Sequence, residues 1–131
     1  MKSTMQFRVR YQETDQMGFV HHSVYYIWYE MGRTEWLRER GMTYKDCEAK
    51  GWLLPLIESG TRYINPARYD DLLELETGLT EMTGAVFHFS YTVRNLQTGQ
   101  ILATGFTKHV CIGRDNKINI AATRQLKQAL K

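Results

Sequence analysis

The chain has 131 residues, 43% of them hydrophobic and 24% charged, with a formal net charge of +3 at pH 7. Those values fit one globular domain over residues 1–131, with a single core that hides roughly two-thirds of the surface the unfolded chain would expose. The small charge and the absence of any run of about five or six like charges argue against nucleic acid as a partner.

The longest apolar run falls far short of a membrane span, and the opening MKSTMQFRVR contains no signal-peptide core, so the expected location is the cytoplasm. Cys47 and Cys111 are too few for a disulfide framework and lack zinc-ligand spacing, and are expected to be reduced. Met5 to Tyr11 alternates apolar Met5, Phe7, Val9 and Tyr11 with Gln6, Arg8 and Arg10, the pattern of a first, half-buried strand. Glu13 to Gly18 has neither a strand nor a helix period and contains a glycine, which predicts a shaped loop.

A helix is expected from near His22 or Ser23 to Arg40, stopped by Gly41. Val24 to Tyr29 leaves no polar face, so the N-terminal half of this helix should be buried and the rest of the chain should wrap it. Within it, Glu30 and Arg33 are spaced to pair across one turn. Thr43 and Asp46 predict a capped short helix to Lys50.

Beyond Trp52 the pattern becomes strand-like: Leu54 to Ile64, then Leu72 to Met82, Ala85 to Val93 and Ile101 to Ile112. Asn65-Pro66, Gly84 and Asn95 to Gly99 break these runs. Thr123 to Lys131 reads as a C-terminal helix with Leu126 and Leu130 on one face. One strand, a buried helix and four further strands argue for an α+β domain in which an antiparallel sheet curls round one long central helix.

The run Tyr11, Glu13, Thr14-Asp15, Gly18, Val20, His22, Tyr25, with Tyr29-Glu30 and Arg33 after it, resembles the signature of the 4-hydroxybenzoyl-CoA thioesterase family. It is most similar to the acyl-CoA thioesterase branch. Tyr63, Pro66-Ala67-Arg68-Tyr69, Asp71 and His109-Val110 extend the likeness over nearly the whole chain. His21 departs from it, standing where relatives usually carry an aromatic residue, and so does the lack of a proline before the last helix.

The resemblance implies a hotdog fold, hydrolysis of an acyl-CoA without a cofactor, and sites shared between subunits of a dimer or, commonly, a homotetramer. The edge strands of a curled sheet favour such assembly independently.

The chemistry can be set out from the residues alone. Thioester hydrolysis needs a group that attacks or activates water and donors aimed at the developing oxyanion. Asp15 fits the first as nucleophile or general base. The start of the central helix fits the second, with N–H groups expected to be unpaired around Val20 to Ser23. Gly18 lets backbone approach the substrate carbonyl without a Cβ in the way.

His22 either orients substrate or water or is simply a first-turn residue. Tyr25 reads as a core aromatic with its hydroxyl toward the acyl group, so Gly18, Val20 and Tyr25 form the expected substrate-binding set. Arg62, Arg68, Lys108, Arg114 and Lys117 are candidates to hold the CoA phosphates. His88 and His109 lie far apart in sequence without ligand spacing, so no metal site is expected. The competing readings are a non-catalytic acyl-CoA or acyl-carrier-protein binding module of the same fold, and a dehydratase, which would need a paired base histidine and carboxylate that the chain does not offer.

Overall fold

The computed structural model describes residues 2–130. Its strands are β1 (Lys2–Arg8), β2 (Leu56–Tyr63), β3 (Leu72–Thr83), β4 (Val86–Asn95) and β5 (Ile101–Val110), and its helices are α1 (Val24–Glu39), α2 (Tyr44–Ala49) and α3 (Ile120–Ala129). The strands form one antiparallel sheet in the order β1-β3-β4-β5-β2. Helix α1 packs against β1, β3 and β4, which gives the expected hotdog arrangement.

Alternation decides which face of the sheet meets the helix. In β4, Phe87, Phe89, Tyr91 and Val93 are buried while the residues between them are half-exposed. From α1, Trp28, Tyr29, Trp36 and Leu37 fill the concave side, each at most 2% exposed. Burying a side chain of this size contributes roughly 1.5–3 kcal/mol.

The close approach of helix to sheet rests on Gly32. A Cβ there would stand 2.7 Å from Leu75 Cδ2, and nearer still to Thr77 Oγ1. The Thr77 hydroxyl is itself buried and has no hydrogen-bond partner among the described residues.

Several boundaries differ from expectation. Strand β1 ends at Arg8, because the Val9 N–H turns to the Asp71 carbonyl (3.0 Å) and Tyr11 opens a 3-10 turn, Tyr11–Glu13, with its ring 77% exposed. Helix α3 starts at Ile120 rather than Thr123, because the Asn119 side chain accepts from the Ala122 N–H at 2.9 Å and caps it. Leu126 and Leu130 do share its buried face, while Lys131 lies outside the described residues. Helix α2 forms as expected, with Thr43 Oγ1 accepting from the Asp46 N–H at 3.1 Å.

The expected Glu30–Arg33 pair does not form. Glu30 is exposed, whereas Arg33 points into the core at 9% exposure and donates to two phenols, Nε to Tyr44 (3.0 Å) and Nη1 to Tyr91 (3.1 Å). Nor is α1 apolar all round in effect, since Ile27 remains 51% exposed. Cys47 and Cys111 are buried free thiols, and burial pushes both above the usual thiol range.

The two sheet edges contrast. The exposed positions of β1 are Lys2, Thr4, Gln6 and Arg8. On β2 they include Leu56, Ile57 and Tyr63, about half exposed, and Ile64 follows directly.

Candidate active site

The loop between β1 and α1 is built from local hydrogen bonds. Glu13 closes the 3-10 turn, its Oε1 accepting from the Arg10 N–H at 2.7 Å. Asp15 then folds a tight turn. Its N–H donates to the Phe19 carbonyl (2.8 Å), its carbonyl accepts from the Gly18 N–H (3.0 Å), and Oδ1 accepts from the N–H groups of Met17 (2.9 Å) and Phe19 (3.4 Å). Gly18 completes this turn at φ +82°, a left-handed conformation that a side chain would strain. Oδ2 of Asp15 accepts no hydrogen bond among the described residues, and the side chain is half-buried.

The loop is pinned on both sides. Val20 N–H donates to the Ala67 carbonyl (2.9 Å), Phe19 bridges to Arg68, and the Arg68 guanidinium lies 4.9 Å above the Phe19 ring. Toward the helix, Trp28 Nε1 donates to Glu13 Oε2 at 2.9 Å.

The helix start is more fully bonded than expected. Val20 and His21 N–H groups are taken by the carbonyls of Ala67 and Glu13, and Ser23 N–H donates to His21 Nδ1 at 3.3 Å. His21 thus holds Ser23, the N-cap residue of α1, with its Nδ1 also 2.7 Å from the Ser23 hydroxyl. Of the span Val20 to Ser23, only His22 keeps an N–H with no acceptor among the described residues, and Tyr25 N–H joins it from the first turn. These two groups, with the positive end of α1, are the donors available to polarise a carbonyl.

His22 is exposed and its ring lies against that of His21, the centroids 4.1 Å apart and the planes tilted by 33°. Its backbone carbonyl accepts from Tyr63 Oη at 3.0 Å, so β2 clasps the helix start. Tyr25 is 3% exposed and packs edge-on against Trp28 and Tyr63. Burial, and secondarily the neighbouring Tyr63, push its phenol up to about 12, so it stays a neutral hydroxyl.

The structure thus brings Asp15, Gly18, Val20, His22 and Tyr25 into one loop-and-helix unit, but in two layers. Asp15, Gly18 and His22 reach the surface, whereas Val20 at 7% and Tyr25 belong to the core behind them. Glu13 and Tyr63, which carry part of the resemblance but received no role from it, complete the unit as positioning groups. Of the five basic candidates, Arg68 borders the loop and Lys108 is held by Glu58 at 3.4 Å. Among the described residues, no three or more of His, Cys, Asp or Glu are grouped to hold a metal, and no helix is long and apolar enough to cross a membrane.

A curled sheet around one buried helix, with a carboxylate turn at the helix start, is the architecture of a hotdog thioesterase. The chain belongs to the thioesterase-like superfamily, whose family model matches residues 9–129. It is similar to the putative acyl-CoA thioesterase YneP of Bacillus subtilis, with 32% identity over 87% of this chain and 82% of the relative. It is also similar to the acyl-CoA thioester hydrolase YbgC of Escherichia coli, with 34% identity over 69% of this chain and 67% of that one. Among solved structures, the hypothetical protein TT1821 of Thermus thermophilus superposes with a TM-score of 0.89 at 36% identity, over 100% of this chain and 98% of its own.

Proposed function

We propose that this chain hydrolyses the thioester of an acyl-CoA to a free acid and CoA, with Asp15 as the attacking or water-activating carboxylate. The reaction class follows the names of the relatives. The observation that carries the role of Asp15 is how it is held: one carboxylate oxygen is fixed by its own turn, while the other is unengaged among the described residues, in the loop that leads into α1. As nucleophile, Oδ2 adds to the thioester carbon and expels CoA thiolate, leaving an acyl anhydride that water cleaves. As general base, it takes a proton from the water that attacks directly. In both, charge develops on the substrate oxygen, and its stabilisation is assigned to the N–H groups of His22 and Tyr25.

His22 is assigned to orienting substrate or water, Gly18 to close backbone approach, and Val20 and Tyr25 to the wall behind the acyl group. Arg68 is the foremost candidate for a CoA phosphate. An acyl-CoA substrate is consistent with a cytoplasmic location. The apolar β2 edge and Ile27 support assembly as a dimer or tetramer, and sedimentation at micromolar concentration is expected to exceed the 15.4 kDa mass of one chain.

The deciding experiment is a thiol-release screen across aromatic, short, medium and long acyl-CoAs. Turnover of at least one class supports the enzyme reading. Saturable acyl-CoA binding without thiol release would replace it with the binding-module reading.

A further inference from the structure

The positive charge of the chain is concentrated at its C-terminal end. Residues 114–131 hold Arg114, Lys117, Arg124, Lys127 and Lys131 against one acid, Asp115, a net +4 in a chain whose total is +3. The remainder is therefore slightly acidic. Asp115 is engaged by its own turn, its Oδ1 accepting from the Lys117 N–H at 3.1 Å. Arg114, Lys117, Arg124 and Lys127 have no carboxylate within ion-pairing distance among the described residues, whereas Lys2, Arg10, Arg94 and Lys108 each have one.

Two large aliphatic side chains sit among these cations. Ile118 is 51% exposed and Ile120 is 69% exposed. Ile118 bridges to Ile112 on the way into α3, and Ile120 is the first residue of that helix, directly after the Asn119 cap. Helix α3 buries Ala122, Thr123, Leu126 and Leu130. Ile120, Arg124 and Lys127, spaced by four and then three residues, form a stripe along one side of it. With Ile118, Thr123 and the Gly84-Ala85 turn, this stripe lines one open depression of about 270 Å³. A singly exposed isoleucine is ordinary, but two in one depression rimmed by unpaired cations make an amphipathic surface.

This surface stands apart from the Asp15 unit of its own chain. Val86 pairs with Val110, so the chain leaves β5 at the β3–β4 turn. The Asp15 loop is pinned at Ala67 and Arg68, which precede the opposite end of β3. The 12 residues of β3 span roughly 35 Å between those ends.

The chemistry of the surface selects its occupant. A nucleic acid would leave the isoleucines facing water, and a single small phosphate needs converging donors, whereas these cations are spread over the turn at 113–117 and over α3. A layer of anionic headgroups above an apolar one matches both parts, since the aliphatic side chains enter the boundary while the cations stay in the plane of charge. From the two exposed isoleucines, the unpaired cations around them and the charge asymmetry of the chain, we infer that α3 and the turn before it form a docking surface for an anionic lipid bilayer. The protein lies on that surface and does not span it.

The test is flotation of the full chain with vesicles of phosphatidylcholine alone, or of equal parts phosphatidylcholine and phosphatidylglycerol. Binding to the anionic vesicles alone is expected, and it should weaken as salt screens the surface charge. Arg124→Gln combined with Lys127→Gln should lower partitioning about thirtyfold. Ile118→Ser combined with Ile120→Ser should lower it about tenfold. Tm should change little in both variants, which separates lost docking from lost folding. Inorganic phosphate at matched ionic strength should leave the protein on the vesicles. Equal binding to both vesicle types, binding to neither, or wild-type partitioning of the Arg124→Gln, Lys127→Gln protein would each overturn the surface. Release by phosphate would replace it with a discrete anion site, and a smaller sedimenting species for the isoleucine variant would assign the face to a second copy of the chain; either result overturns the lipid reading.

Discussion

Trp28 and Glu13 join the central helix to the loop that carries Asp15, through a 2.9 Å hydrogen bond from the indole Nε1 to Oε2. Glu13 is only 6% exposed, and its other oxygen takes the Arg10 N–H. Glu13→Gln presents an amide NH₂ to one of those donors, so a buried donor loses its acceptor. The expected loss is about 1–3 kcal/mol in urea unfolding. Because the same change frees the loop, kcat on the best acyl-CoA should fall too. A variant with wild-type stability and activity would show that this link does not set the loop.

Asp15→Asn isolates chemistry from structure. The amide oxygen can still accept from the Met17 and Phe19 N–H groups, so the turn should persist and Tm should change little. An amide can neither attack nor take a proton at neutral pH. Loss of a positioned base alone predicts a fall of about 10²–10⁴-fold in kcat, and loss of a nucleophile more, with acyl-CoA affinity nearly unchanged. Activity within a few-fold of wild type would remove Asp15 from the reaction, and a large drop in Tm would return it to a structural role.

Thr77→Val should stabilise the fold. The hydroxyl is buried against Gly32 without a partner, and valine replaces it with a methyl of nearly the same shape. Relief of an unsatisfied polar group is worth on the order of 1 kcal/mol, seen as a higher urea midpoint with an unchanged slope. Destabilisation would mean that the hydroxyl is hydrogen-bonded in solution.

His109 makes stability depend on pH in a defined direction. Its pKa in the fold is about 4, against an ordinary value of 6.5, because burial and then the Arg33 charge disfavour the imidazolium. The unfolded chain therefore binds the proton first as pH falls. The neutral-ring stability is fully present above about 6.5 and is lost progressively down to about 4, with a limiting slope of about 1.4 kcal/mol per pH unit. Urea unfolding from pH 7 to 4 should show this decline, and His109→Gln should flatten it. Identical pH profiles for the two proteins would show that another group is responsible.

Elements with a strong local period were legible. The alternation of β4, the Thr43–Asp46 cap of α2 and the turn around Gly18 all depend on neighbours within a few residues, and all appear where the pattern put them. What failed depended on direction or distance. Glu30 and Arg33 are one turn apart but roughly 60° apart around the helix axis, and the boundary between sheet and solvent passes between them. Val9 and Tyr11 continue the β1 alternation, yet the Val9 N–H finds the Asp71 carbonyl and the strand stops. In the candidate site, Asp15 and Gly18 were recognisable by spacing, whereas the Glu13–Trp28 and Tyr63–His22 bonds join residues that only the folded sheet brings together. His21, which broke the resemblance, proves to accept the Ser23 N–H just before α1.

The unequal edges of the sheet bear on handling the protein. The exposed positions of β1 are all polar or charged, whereas β2 offers an edge flanked by Leu56, Ile57 and Tyr63 as well as by Glu58 and Arg62. Any extended apolar segment can add to it. If chains pair over β2, as the proposed dimer or tetramer would have it, dilution uncovers this edge, irreversible clumping competes with reassembly, and shelf life should shorten in dilute stocks and lengthen in concentrated ones. A charge placed at Ile57 would reverse that ordering by closing the template to strangers and kin alike.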